Sequence, residues 1–177
     1  MRSYKVEGIV IKRKNLGEAD RILTVFTKHR GKIQVKAKGV RKITSRRSAH
    51  TELLNLSLLS IYDNSRFPIL TEIVSIDSFE GIKDNLSKVG FAYHICELID
   101  GLCAEKQENA DIFDLIKDTF KKMELTADLD GIIDDFEIKL LRMLGFMSEE
   151  LVPNRQYFIE DILERKLKTR KLLPLLA

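Results

Sequence analysis

Residues 31–38 read Gly-Lys-Ile-Gln-Val-Lys-Ala-Lys. Ile33, Val35 and Ala37 alternate with Lys32, Gln34, Lys36 and Lys38. A period of two marks a strand with one face in a core and one in water, and the wet face here is nearly all lysine. Upstream, Tyr4 to Lys12 carries Val6, Ile9, Val10 and Ile11, and Arg21 to Lys28 carries Ile22, Leu23, Val25 and Phe26. Downstream, Leu53 to Asp63 reads as a strand with Leu54, Leu56, Leu58 and Ser60 on one side. Asp63-Asn64-Ser65 is a turn signal, and Phe67 to Asp77 runs back as the partner. Pro68 near the start of that last strand predicts an edge or a first position. Five short strands in about 80 residues predict a small barrel, and the OB-fold is the common five-stranded form.

Near residue 80 the period changes. Ile82, Leu86, Val89, Tyr93, Cys96, Ile99 and Cys103 recur every three or four residues. So do Ile112, Ile116, Phe120 and Met123, then Ile133, Phe136, Leu140 and Leu144. A weaker series runs through Phe158, Ile162, Leu163 and Leu167. These spacings predict amphipathic helices of bundle type. Gly145 is placed as a C-cap, with Pro153 in the loop beyond. The expected architecture is α+β, with a barrel over 1–80 and an all-helical domain over 81–177. A basic run, Arg165 to Lys171, precedes an apolar end, Leu172 to Ala177.

The 177 residues are 44% hydrophobic and 32% charged, the composition of a folded chain with extra charge. No apolar run approaches the roughly 18 residues of a membrane span. The opening Met-Arg-Ser-Tyr-Lys-Val-Glu-Gly has no apolar secretory core, and two cysteines make no disulfide framework. A cytoplasmic location is the expectation. The net charge of +3 hides an asymmetry: residues 1–48 hold 15 basic and 3 acidic residues, whereas residues 81–177 hold 14 and 19. Such a block on a folded domain is the footprint of a polyanion partner, set against the plainer reading of a solvated basic surface.

The chemistry-bearing stretch is the lysine-faced strand and the segment after it, Gly39-Val-Arg-Lys-Ile-Thr-Ser-Arg-Arg47. Phosphates need several cations along a groove, because each one neutralised releases condensed counterions. Lys32, Lys36 and Lys38 are expected on one sheet face, whose positions recur at about 7 Å intervals. Arg41, Lys42, Arg46 and Arg47 are expected to cap them from a loop, and Lys12, Arg13 and Lys14 to extend the track. Stacking aromatics are sparse: Tyr4 and Phe26 precede the run and Phe67 follows it. Sequence-tolerant backbone binding therefore fits better than base readout. The competing reading is edge-strand protection by lysine.

Residues 126–137 imitate a calcium loop, with Asp128, Asp130, Asp134, Glu137 and a central Gly131, but Thr126 stands where the first carboxylate belongs. The simpler reading is a helix capped by Asp128 or Asp130. Cys96 and Cys103 are about 10 Å apart along a helix, too far for a disulfide, and read as core. His29, His50 and His94 pair with nothing at a motif spacing, and no phosphate loop, nucleophile elbow or zinc-protease motif occurs. No enzyme chemistry is expected, and no catalytic residue is assigned.

Residues 16–42, LGEADRILTVFTKHRGKIQVKAKGVRK, resemble the N-terminal signature of the RecO family of bacterial DNA repair proteins. There a Gly-Glu-x-Asp-Arg-Ile run is followed by a Thr, a Gly-Lys strand and an Ala-Lys-Gly-x-Arg-Lys loop. Residues 136–146, FEIKLLRMLGF, are similar to the family's Phe-Glu-x-x-Leu-Leu-x-x-Leu-Gly-Phe/Tyr helix, and 91–98, FAYHICEL, to a helix of its second domain. The resemblance covers roughly 4–151 and implies an OB-fold followed by a helical domain. It implies a non-enzymatic recombination mediator, nucleoid-associated in the cytoplasm, that binds single- and double-stranded DNA and anneals complementary strands. It further implies work with RecR, and in some bacteria RecF, to load RecA onto strands coated by single-stranded DNA-binding protein, whose acidic C-terminal tail the family touches. No ATP is implied.

Two departures stand out. Many members follow the Leu-Gly-Phe helix with the first pair of a four-cysteine zinc cluster; here Met147-Ser-Glu-Glu-Leu-Val-Pro-Asn154 has none, so neither zinc nor another cofactor is expected. The chain is also shorter than the usual member, which leaves the tail pocket, placed by the family in the helical domain, without assigned residues. The basic run Arg165 to Lys171 is an alternative attraction for an acidic peptide. Two other readings stay open: an OB-type RNA-binding or translation accessory protein, and a calcium-responsive interaction protein.

Overall fold

The computed structural model describes residues 2–63, 67–148, 150, 152–169 and 173. The chain divides into two compact units: residues 1–78 with Ala104–Phe113, and Phe79–Cys103 with the chain from Asp114 onward.

The first unit is a closed barrel of five strands: β1 (Arg2–Leu16), β2 (Asp20–Thr27), β3 (Gly31–Ala37), β4 (Leu56–Asp63) and β5 (Ile69–Asp77). Their order is β1-β2-β3-β5-β4, closing on β1. This is the OB arrangement, α+β once the helices are added. β1 is long enough to pair with β2 along one stretch and with β4 along another, and a bulge between Val10 and Lys12 adds the curvature. Gly8 sits at the partner change, paired with both Thr27 and Ser57. A Cβ there would lie 2.5 Å from Val25 Cγ1, so only glycine lets the strands approach. The core holds Val6, Val10, Leu23, Val25, Ile33, Val35, Ala37, Leu59, Ile61, Leu70 and Ile73. Each valine, leucine and isoleucine among them contributes roughly 1.5–3 kcal/mol on burial.

β3 and β5 run parallel and, among the described residues, pair at Lys36 and Ile69. The Lys36 N–H donates to Pro68 O at 2.8 Å, so the proline stands just ahead of its strand. Nearer its start, β3 has a different neighbour. Lys32 forms a parallel bridge with Glu105, and the Lys106 N–H donates to Lys32 O at 2.9 Å. The strap 104–113, expected within the helical domain, thus packs with the barrel because it fills the gap that β5 leaves. The outer edge of β5 is covered by side chains: Arg47 donates to Leu70 O and Thr71 O, and the Ser75 N–H to His50 Nδ1.

The expected face of the fourth strand is out of phase. Leu53–Asn55 is not strand; Leu54 has φ +72° and its N–H donates to Val10 O. From Leu56 the inward positions are Ser57, Leu59 and Ile61, while Leu58 is 41% exposed opposite Val74. A one-residue slip reverses every side chain of a strand.

The second unit is helical. Its elements are α1 (Glu80–Lys83), α2 (Leu86–Leu102), α3 (Ala110–Leu125, whose start belongs to the first unit), α4 (Leu129–Met143) and α5 (Arg155–Leu163). The first expected helix is broken before Leu86, where the Asn85 side chain accepts the Lys88 N–H at 3.1 Å and starts α2. Asp128 and Asn154 cap α4 and α5 likewise. Gly145, at φ +76°, ends α4: its N–H donates to Arg142 O and the Phe146 N–H to Leu141 O. Phe79 and Phe120 meet edge-to-face at 5.3 Å in the core. Among the described residues no helix is long and apolar enough to cross a membrane. Asn64, Ser65 and the end from Arg170, apart from Leu173, lie outside the described residues.

Candidate nucleic-acid interface

Directly opposed residues of an antiparallel pair share a face. Leu23, Val25, Ile33 and Val35 point into the barrel, so Lys12, Thr24 and Gln34 form one outward row and Lys14, Ile22 and Lys36 the next. Lys14 and Lys36 are therefore two strands apart, about 10 Å. Lys12 and Lys14 are exposed, whereas Lys36 is half-buried and pairs with Asp20 Oδ2 at 3.1 Å.

Asp20 was no part of the expected site, and it organises the upper end. Its Oδ1 accepts the Gly39 N–H at 2.8 Å. That bond first, and Lys36 second, hold its carboxyl below the usual range. Arg41 ties the same loop to the β1–β2 turn, its N–H donating to Ala19 O at 2.9 Å and its Nη1 to Gly17 O at 2.8 Å. The loop after β3 is thus held beside the hairpin tip. Lys38, Lys42 and Arg46 are exposed there, around a cleft shared with Thr44 and Ser45. Four cations, counting Arg41, converge at one end of the barrel.

The even lysine track along β3 does not form. Lys32 is only 7% exposed, because the strap lies against its end of the strand. Arg47 is a loop anchor: Nη2 donates to Lys38 O at 2.7 Å and Nη1 to the two β5 carbonyls. Arg13 pairs with Glu52, which also meets Arg21 at 3.5 Å. In the expected set, Lys38, Arg41, Lys42 and Arg46 are exposed at the loop end, Lys12 is exposed on the sheet, Arg13 and Lys36 are paired with carboxylates, Lys32 is covered and Arg47 is bonded to backbone carbonyls.

The calcium-like residues do not converge. Asp128 caps α4, accepting the Gly131 N–H at 3.1 Å, and the later acids lie along the helix. Glu137 is buried, with Oε1 2.7 Å from His94 Nε2 and Oε2 accepting from Arg155 Nε at 2.6 Å; Asp134 also pairs with Arg155. The other ring nitrogen of His94 lies 2.9 Å from Thr169 Oγ1. Among the described residues no group of three or more His, Cys, Asp or Glu is placed to hold a metal. Cys96 and Cys103 are both buried at α2, and burial pushes the Cys96 thiol up to about 12. In the basic tail Arg165 donates to Glu97 at 2.6 Å and Lys166 to Glu160 at 2.7 Å.

Comparison with known proteins bears on both units. A family model described as recombination protein O N terminal matches residues 1–79, and one described as recombination protein O C terminal matches 83–149. The chain is 34% identical over 148 residues to the DNA repair protein RecO of a Roseiflexus species, covering 84% of this chain and 52% of that protein. It is 31% identical over 147 residues to that of Symbiobacterium thermophilum (82% and 58%) and 34% identical over 146 to that of Dehalococcoides mccartyi (82% and 58%). The chain spans about half the length of the curated relatives it matches.

Proposed function

The chain belongs to the recombination protein O family, and from that membership we propose that it is a non-enzymatic mediator of DNA repair and recombination. The observation that carries this reading is the convergence of Lys38, Arg41, Lys42 and Arg46 beside the β1–β2 hairpin tip, with Lys12 and Lys14 on the adjoining outer face. These cations hold the phosphates of a single strand and of a duplex. By neutralising one strand they lower its repulsion for a second, and complementary strands meet and pair. Lys36 and Arg13 each spend charge on a carboxylate, Lys32 is covered, and Arg47 is committed to backbone carbonyls, so these four stand outside the proposed set. No side chain is asked to make or break a covalent bond.

The partners of this reading are RecR, in some bacteria RecF, and single-stranded DNA-binding protein with its acidic tail, and the outcome is RecA loaded onto the coated strand. The second unit is the protein-facing one in this reading, since residues 79–103 and 114–177 carry 17 acidic against 13 basic residues and discourage DNA. The test is annealing of complementary oligonucleotides coated with the cognate coat protein, with and without the chain. Acceleration supports both the DNA and the coat-protein parts. Acceleration on bare strands alone removes the coat-protein part. Competition by matched RNA as strong as by DNA would turn the reading towards an RNA-binding protein.

A further inference from the structure

The three aromatic residues around the basic stretch have separate fates in the fold. Phe26 is buried in the barrel wall, 1% exposed. Tyr4 and Phe67, far apart in the chain and both half-buried, line one cavity of about 490 Å3 at the start of β3, under the strap. That volume lies within the roughly 300–1,000 Å3 of small-ligand sites. The Arg30 guanidinium stacks over the Tyr4 ring, 3.8 Å from its centroid. Phe67 and Pro68 add apolar wall. A stacked aromatic and guanidinium beside an apolar wall is the surface on which an unpaired base packs.

The charge of the cavity argues against phosphate. Among the described lining residues Asp63, Glu105 and Glu108 stand against Arg30 and Lys106, unlike the loop end, where cations dominate. The polar rim suits the edge of a base. Gln34 Nε2 donates to Glu105 Oε1 at 2.9 Å, and His29 Nδ1 lies 3.2 Å from Glu108 Oε1. A carboxylate has about four acceptor sites, so one such bond leaves room for the exocyclic amino group of cytosine or adenine. Thymine offers no such group.

We propose that this cavity holds one unpaired nucleobase of a bound single strand, preferring a base that bears an amino group. The proposal rests on the nucleic-acid reading of the basic loop and adds a base-recognition site at the other end of β3. The test measures the affinity of the full chain for three strands of about twelve nucleotides: oligo-dC, oligo-dT and an abasic sugar-phosphate strand. Oligo-dC is expected to bind about tenfold tighter than the abasic strand, with oligo-dT weaker than oligo-dC. Tyr4→Leu and Phe67→Leu should bring oligo-dC close to the abasic value without changing the salt dependence. Equal binding of oligo-dC and the abasic strand by the unmodified chain overturns the proposal, and so does equal weakening of both strands by the variants. Oligo-dT binding as tightly as oligo-dC overturns the amino-group preference. The comparison of strands needs no variant, so a variant that fails to fold leaves the test standing. Absence of salt-dependent binding to all three would overturn the basic-loop reading itself.

Discussion

The Asp20 carboxylate accepts the Gly39 backbone N–H at 2.8 Å, joining the first residue of β2 to the start of the loop after β3. The bond orders the cations that follow, since Lys38, Arg41 and Lys42 flank that amide. Asp20→Ala should free the loop without unfolding the barrel. Faster cleavage by trypsin after Arg41, Lys42 and Arg46, and faster exchange of the Gly39 amide, are the expected readouts. Because the Gly39 bond and Lys36 hold the Asp20 carboxyl below its ordinary value, the tether is complete above that value and is lost as pH falls through the lowered one.

The exposed cations should separate from Lys32 and Arg47 in a salt titration. If Lys12, Lys14, Lys38, Arg41, Lys42 and Arg46 each meet a phosphate of single-stranded DNA, log K falls against log salt with a slope of about −4. Replacing Lys38, Lys42 and Arg46 together with alanine should reduce the slope by about 2. Lys32→Ala and Arg47→Ala should leave it unchanged while lowering the denaturation midpoint. Arg47→Ala acts by removing the donor to three carbonyls. A slope that tracks Lys32 instead would restore the sheet-face track.

Gly31 is the point where the strap meets the barrel. Its φ is +62°, and a Cβ there would lie 2.0 Å from the Gln107 backbone oxygen. Gly31→Ala therefore combines a left-handed backbone with a clash against main chain. The expected cost is on the order of 2–4 kcal/mol, read as a shift of the urea midpoint. A change of less than about 0.5 kcal/mol would mean the strap moves aside freely.

Periodicity made the barrel and the helices legible. The alternation at Ile33, Val35 and Ala37 placed β3, and the Gly145 cap falls at its expected position. Three features were not legible, each for a physical reason. The phase of β4 depends on Leu54 taking a positive φ, which no leucine announces. The burial of Lys32 depends on a strap more than seventy positions away that pairs through backbone atoms, and backbone pairing leaves no side-chain signature. The meeting of Tyr4 with Arg30 and Phe67 depends on barrel closure, which brings the starts of β1 and β5 to one rim. Counting cations located the basic loop, but separating anchors such as Arg47 from exposed donors needed the hydrogen bonds.

Glu97 holds the end of the described chain to α2. Its carboxylate accepts from the Lys168 N–H at 3.0 Å, the Thr169 N–H at 2.9 Å, the Thr169 hydroxyl at 2.7 Å and Arg165 at 2.6 Å. Burial pushes this carboxyl upward, but the donors together outweigh it and lower it to about 2. A carboxyl whose folded value is depressed contributes stability above its unfolded value of about 4.5 and loses it as pH falls towards about 2. Thermal stability of the unmodified chain should therefore drop between these two values. Glu97→Gln should be less stable at neutral pH, since the amide keeps shape but loses the charge that attracts Arg165, and its stability should change less with pH across that window. The same thermal melts at pH 7, 4 and 2.5 on both chains check this; parallel curves would assign the acid sensitivity to other carboxylates and leave Glu97 a spectator.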